Sequence, residues 1–200
     1  MSSYDMSGIV RFDLNRGRVN LRDASGQSDE RSGRVLIPVD VLSALLAQVS
    51  PAGVSDLGYR VGTEVGRRVR DQLGSDLDHA TPHTVLDYLG GELALLGLGS
   101  FKLELWGRAM VFAVNESPLL EATPGGDADG AAAFLASLLE GALARAASRD
   151  AKVLPFARAA AEVRLLVCNA AAREQVAGWL SSGCHYGEAL ARLNQTGVGA

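Results

Sequence analysis

The chain has 200 residues, 48% hydrophobic and 21% charged, with a net charge of −4. That length suits one domain with a short appendage, and the balance excludes wholesale disorder. The acidic charge and a pI near 5.4 argue against a nucleic-acid partner held by a broad basic field.

No basic n-region followed by an apolar run opens the chain, so a cytoplasmic location is expected. No apolar stretch reaches the length of a membrane span, and a soluble protein is expected. Only Lys102 and Lys152 are lysines among 19 basic residues, a bias typical of GC-rich bacterial genomes.

In chain order, "GIVRFDLNRGRVNL" alternates Ile9, Arg11 and Asp13 against Val10, Phe12 and Leu14. It turns at Asn15 to Gly17 and reads as a β-hairpin. Residues 22–33 are rich in Ser, Gly and Asp and read as a mobile loop. The expected division is 1–32 as hairpin and loop, 33–196 as an α+β domain, and 197–200 as a tail.

"RVLIPVDVLSALLAQVS" predicts a short strand ending at Pro38, then a helix capped by Asp40. Its apolar stripe of Val41, Leu42, Leu45, Leu46 and Val49 is expected to face a core. "LGYRVGTEVGRRVRDQLG" sets Gly58, Gly62 and Gly66 four apart in a helix, at a cost of roughly 0.5–1 kcal/mol each against alanine. Leu57, Val61, Val65, Val69 and Leu73 share that half of the helix, and charged residues fill the other half. The pattern predicts a seam where a protein neighbour approaches closely.

Thr81 as N-cap and Pro82 at the first position start a helix through Val85, Leu86, Leu89 and Leu93. Residues 101–114 read as a second hairpin turning at Trp106 to Arg108, its return strand buried on both faces. "SPLLEATPGGDADG" reads as a loop in which Asp127 or Asp129 caps the next helix. "GAAAFLASLLEGALARAASRD" is that helix, thin because of its alanines and Gly141. A strand pair or one interrupted strand follows, then one or two helices broken near Gly183.

Chemistry is sparse. Asp76, Asp78, His79 and His83 are metal-ligating types without a recognised spacing, and Pro82 disrupts the register between the histidines. They read as a solvated loop and helix start, so no metal site is expected. Cys184 beside His185 invites a nucleophile reading, but adjacent side chains diverge, and a packed thiol at a helix junction is expected. Arg67, Arg68 and Arg70 read as a solvated face rather than a phosphate site. Phe101 and Trp106, near a hairpin tip, either anchor a partner or roof the core. No catalytic residue and no cofactor-binding motif is found: G-x-S-x-G, H-E-x-x-H and dinucleotide patterns are all missing.

The order of parts and three stretches, "GRVLIPVDVLSALL", "LGYRVGTEVGRRV" and "FLASLLEGALARA", resemble the vinyl reductase-like domain shared with TRAPP vesicle-tethering subunits, over roughly Gly33 to Asn194. The resemblance implies an α+β fold, an antiparallel or mixed sheet packed on Gly/Ala-rich helices. It also implies pairing through helices and a pocket for a small apolar ligand. Some bacterial members carry a cysteine-based metal site; here Cys168 and Cys184 have no third cysteine to complete one.

The expected function is a non-enzymatic interaction or sensory module, homodimeric, with a small apolar ligand and a possible protein partner. Gly58, Gly62, Gly66 and Gly141 form the helix-packing or dimer seam, and Phe101, Trp106, Cys184 and His185 are the pocket or partner contacts. The alternative is a reductase-related enzyme acting on a hydrophobic ring substrate.

Overall fold

In a computed structural model, residues 10–13, 18–21, 37–74, 82–107, 109–123, 128–148 and 150–196 are described. The chain divides into two compact units, residues 1–38 and 39–200. In the first, β1 (Val10–Asp13) pairs antiparallel with β2 (Arg18–Leu21), Val10 opposite Leu21. The expected loop at 22–33 and the strand at 34–36 lie outside the described residues, and Ile37 and Pro38 are irregular.

The second unit opens with α1 (Val39–Gln48), which starts before Asp40, so Asp40 sits in its first turn rather than at the cap. The apolar stripe expected to face a core splits in two. Leu46 is buried and Leu42 packs on the core, but Val41, Leu45 and Val49 are exposed. A stripe that wide exceeds what one helix can bury when its neighbours, α4 and α5, lie along a single side.

The glycine helix, α2 (Pro51–Leu73), begins a turn and a half earlier than the glycine pattern alone suggests. Ser50 caps it, its Oγ accepting from the Gly53 amide at 3.2 Å, with Pro51 at the first position. Val54, Val65, Val69 and Leu73 are buried with the three glycines, whereas Leu57 is exposed. After α3 (Pro82–Leu95) comes the hairpin of β3 (Ser100–Trp106) and β4 (Ala109–Asn115).

The segment expected to be all loop contains a short helix, α4 (Pro118–Glu121), whose Leu119 and Leu120 are core residues. Two leucines flanked by prolines were too short a signal to separate from a turn. α5 (Ala128–Ala147) follows; the candidate cap Asp127 lies outside the described residues. Residues 130–147 are long and apolar enough by length and composition to cross a membrane, against the sequence expectation, but that stretch is mostly buried inside the second unit, as the core helix of a folded domain is.

Strands β5 (Lys152–Ala159) and β6 (Glu162–Cys168) form a hairpin, and α6 (Ala170–Ser181) and α7 (Tyr186–Thr196) close the chain on either side of Gly183. Asn169 caps α6, its side chain accepting from the Ala172 amide at 2.9 Å.

The sheet is antiparallel throughout, in the order β3-β4-β6-β5. β4 and β6 are central, which is why their sequences run almost continuously apolar. Edge strand β5 carries Pro155 and a bulge between Pro155 and Ala157, features that blunt an edge. Strand alternation sends Phe101, Leu103, Phe112, Val114, Val163, Leu165 and Val167 toward the main core under α2, α3 and α5. It sends Val111, Leu166 and Cys168 to the opposite face, where α6 and α7 build a second, smaller core.

The glycines hold α2 against α5 of the same chain. A Cβ on Gly58 would stand 2.5 Å from the Phe134 carbonyl oxygen, and one on Gly66 2.8 Å from Arg145 Cβ. From the other helix, a Cβ on Gly141 would stand 2.9 Å from the Tyr59 carbonyl carbon. These distances are below any normal carbon contact, so the two backbones touch where side chains would usually keep them apart. The seam is filled from within the chain, and a second copy cannot use it without displacing α5.

Candidate functional site

Among the described residues, a group of aromatic side chains gathers on the α6/α7 face of the sheet. Trp106 ends edge strand β3, and Glu104, two residues back, projects from the same face. The indole N–H donates to Glu104 Oε2 at 2.9 Å. Arg164 of β6 lies over the indole, 5.9 Å from its centroid, with Glu104 at 3.7 Å and Glu162 at 3.9 Å. Phe156, from the opposite edge strand at the bulge, meets Trp106 edge-on at 6.2 Å.

Tyr186, the first residue of α7, completes the group at 6.4 Å from Trp106 and 6.0 Å from Phe156. Edge-to-face rings at these separations are mutually favourable. Asn194, two turns on, donates from Nδ2 to the Trp106 carbonyl at 3.1 Å and ties α7 to the hairpin.

His185 stacks beside Tyr186 at 4.2 Å, and its Nδ1 accepts from the Gly187 amide at 3.3 Å. Cys184 packs on the small core, and its Sγ donates to the main-chain oxygen of His185 at 3.6 Å rather than to the imidazole. The adjacent pair is therefore not joined by the thiol–imidazole hydrogen bond that a nucleophile and base would share. Burial pushes the Cys168 thiol up to about 11, and partial burial with Glu188 nearby raises Cys184, so neither has the lowered pKa of a reactive cysteine.

Of the four sequence-predicted contacts, Trp106, Cys184 and His185 come together on this face. Phe101 does not: it points to the other side of the sheet, against the main core. Phe156 and Tyr186 were missed, because each sits singly in its segment and only the fold brings them beside Trp106.

The arginines of α2 are not a free basic patch. Arg67 bonds Glu64 and Asp71, Arg70 donates to Ser148 Oγ at 3.2 Å, and Arg68 reaches Glu64 at 3.3 Å and Glu92 at 3.9 Å. Glu92 is 4% exposed between α2 and α3, and Gln72 Nε2 donates to it at 2.7 Å. Burial raises its carboxyl above the ordinary value, with Gln72 and Arg68 opposing. The sequence did contain this signal: Glu92 falls on the buried row of Val85, Leu89 and Leu93.

Ser117, fully buried ahead of α4, follows Glu116 at a φ of 52°, and its hydroxyl finds no partner among the described residues. Asp76, Asp78 and His79, and the side chain of His83, lie outside the described residues. Among the described residues no group of three metal-ligating side chains converges. What the aromatic face offers is apolar and π contact with a few fixed hydrogen-bonding groups, a chemistry of binding.

No family model matches the chain, and no curated protein matches it. Among solved structures, it is similar to the phenol-responsive sensory domain of the transcription activator PoxR, crystallised with phenol. The TM-score is 0.62 at 10% identity, over 84% of this chain and 90% of that one. The two share the α+β fold.

Proposed function

We propose that this chain is a non-enzymatic sensory module of the cytoplasm that binds a small apolar ligand, works as a homodimer and passes the signal to a protein partner. The observation that carries the reading is the likeness of its whole fold to a domain that responds to phenol. The resemblance of its helices to the vinyl reductase-like and TRAPP-like domain points the same way. Its own residues add where a ring would be received: Trp106, Phe156 and Tyr186 gather their rings within 6.0–6.4 Å of one another on one face of the sheet.

Signalling by such a module needs no bond to break. A ligand that binds one arrangement of α7 on the hairpin better than another shifts the balance between them by its difference in affinity. Asn194 and the Trp106 carbonyl join those two elements.

The test is titration of the purified protein with small aromatic compounds, phenol among them, followed by tryptophan fluorescence and thermal melting. A ligand at 100 times its dissociation constant adds ~2.7 kcal/mol, or a rise of roughly 5–11 °C for a domain of this size. Trp106→Ala is expected to abolish the fluorescence change and the shift. A full shift in the variant would move the site elsewhere, and no shift from any compound would oppose the ligand reading.

A further inference from the structure

We propose that Arg164 is the polar anchor of the aromatic face, and that the ligand received there is an uncharged ring carrying a hydrogen-bond acceptor, such as an aryl ketone. This rests on the ligand reading above and gives that ligand a polar end.

Arg164 stands on the same face of the sheet as Trp106, its guanidinium 5.9 Å from the indole centroid. Its cross-strand neighbours are Ala113 on β4 and Ala157 on β5. Single methyl groups on both sides leave the guanidinium the reaching group beside the rings.

The flanking carboxylates do not use it up. Glu104 Oε2 lies 3.7 Å from Nε and Glu162 Oε2 3.9 Å from Nη1, separations of attraction across a gap rather than of hydrogen bonds. Glu104 Oε2 is itself taken by the indole N–H at 2.9 Å. The Arg164 Nε–H is buried and finds no hydrogen-bond partner among the described residues. Folded proteins leave few buried donors unmade, because each one costs the desolvation of the group. This unmade donor lies beside three gathered rings, and the side chain as a whole is 32% exposed, so a molecule seated on those rings can meet it. With its carboxylates at 3.7 and 3.9 Å, the guanidinium turns toward such a molecule without breaking an ion-pair hydrogen bond.

The charges decide what kind of acceptor fits. Glu104 and Glu162 outnumber Arg164 here, and Lys102, on edge strand β3 opposite Ala113, is exposed and screened by solvent. A carboxylate on the ligand would meet net repulsion, whereas a carbonyl or ether oxygen accepts from the guanidinium without adding charge. A bare hydrocarbon leaves the donor as unmade as before.

Calorimetric titration of the full chain with acetophenone, α-methylstyrene and benzoate tests the proposal. The first two share a ring and a shape and differ in a carbonyl against a vinylidene group, so the ratio of their affinities reads the acceptor. Arg164→Met keeps an unbranched apolar stem and removes the donors; it is expected to lower the acetophenone-to-α-methylstyrene ratio by ~10-fold or more, the worth of a hydrogen bond from a charged donor. Nitrogen-edited NMR of wild type gives a reading free of mutation: acetophenone should move the Arg164 Nε–H signal well beyond the displacement that α-methylstyrene, with the same ring, produces.

An unchanged ratio in Arg164→Met, or a signal displaced equally by both compounds, would overturn the anchor and leave the ring site standing. Benzoate binding more tightly than acetophenone would overturn the uncharged class. Failure of all three compounds to bind wild type would remove the ligand reading itself, and the anchor with it.

Discussion

Gly62→Ala adds one methyl group, and the structure states where it goes. The new Cβ would stand 2.7 Å from the Leu138 carbonyl carbon and 2.9 Å from the Ala142 amide nitrogen, with the Leu138 carbonyl oxygen closer still. All three are backbone atoms of a helix, so no side-chain rotation relieves the clash. α2 and α5 must separate, and the contacts at Gly58, Gly66 and Gly141 loosen with them.

Alanine gains about 0.8–1 kcal/mol of helix propensity, while overpacking of a filled core costs about 1–3 kcal/mol and more where backbone must move. On those figures the expected net loss is up to about 2 kcal/mol, a fall in Tm of up to roughly 8 °C for a chain of this length, and larger where the helix backbones must separate. Gly91→Ala is the matched control. It also lies inside a helix, α3, but its new methyl meets nothing within 4 Å, so it should be neutral or raise stability by up to about 1 kcal/mol. Melting both variants by differential scanning calorimetry checks the reasoning. If Gly62→Ala melts with or above wild type while Gly91→Ala behaves as expected, the seam is not what holds the two helices together.

Ser117→Ala removes a buried hydroxyl that bonds nothing described, so urea unfolding should show it neutral or more stable by about 1 kcal/mol; a loss above about 1 kcal/mol would mean that the hydroxyl has a partner. Glu92 has a pKa raised by burial above its ordinary 4.5, so the folded chain takes up a proton more readily than the unfolded one. Its contribution is fully present below the unfolded pKa and is lost as pH rises through the folded value. Denaturant unfolding across pH 4–7 should therefore show wild type losing stability relative to Glu92→Gln as pH rises, and parallel curves would contradict the shift.

Local and periodic features were legible in the sequence. The second hairpin could be read because β3 alternates and β4, as a central strand, does not. Pro82 and Gly183 marked helix boundaries because their backbone constraints act without tertiary context. The glycine spacing showed that α2 meets something closely, but spacing alone cannot distinguish α5 of the same chain from a helix of another.

What could not be read depended on neighbours distant in sequence. Periodicity shows that α1 has an apolar side, not how much of that side its neighbours cover, so Val41 and Leu45 were expected inside with Leu42 and Leu46. α4 was hidden because four residues are too few to show a period. The aromatic group joins residues 106, 156 and 186 from three elements, and Phe101, though apolar and near the same hairpin, lies on the other face because strand positions alternate.

The claim that the chain receives a small apolar ligand is tested most directly by native mass spectrometry of the protein as purified, before any compound is added. The account predicts a noncovalent adduct of a small apolar molecule, lost on denaturation and depleted in Trp106→Ala. A bare polypeptide mass in wild type, from protein that also takes up no small aromatic compound when incubated with an excess, would contradict it.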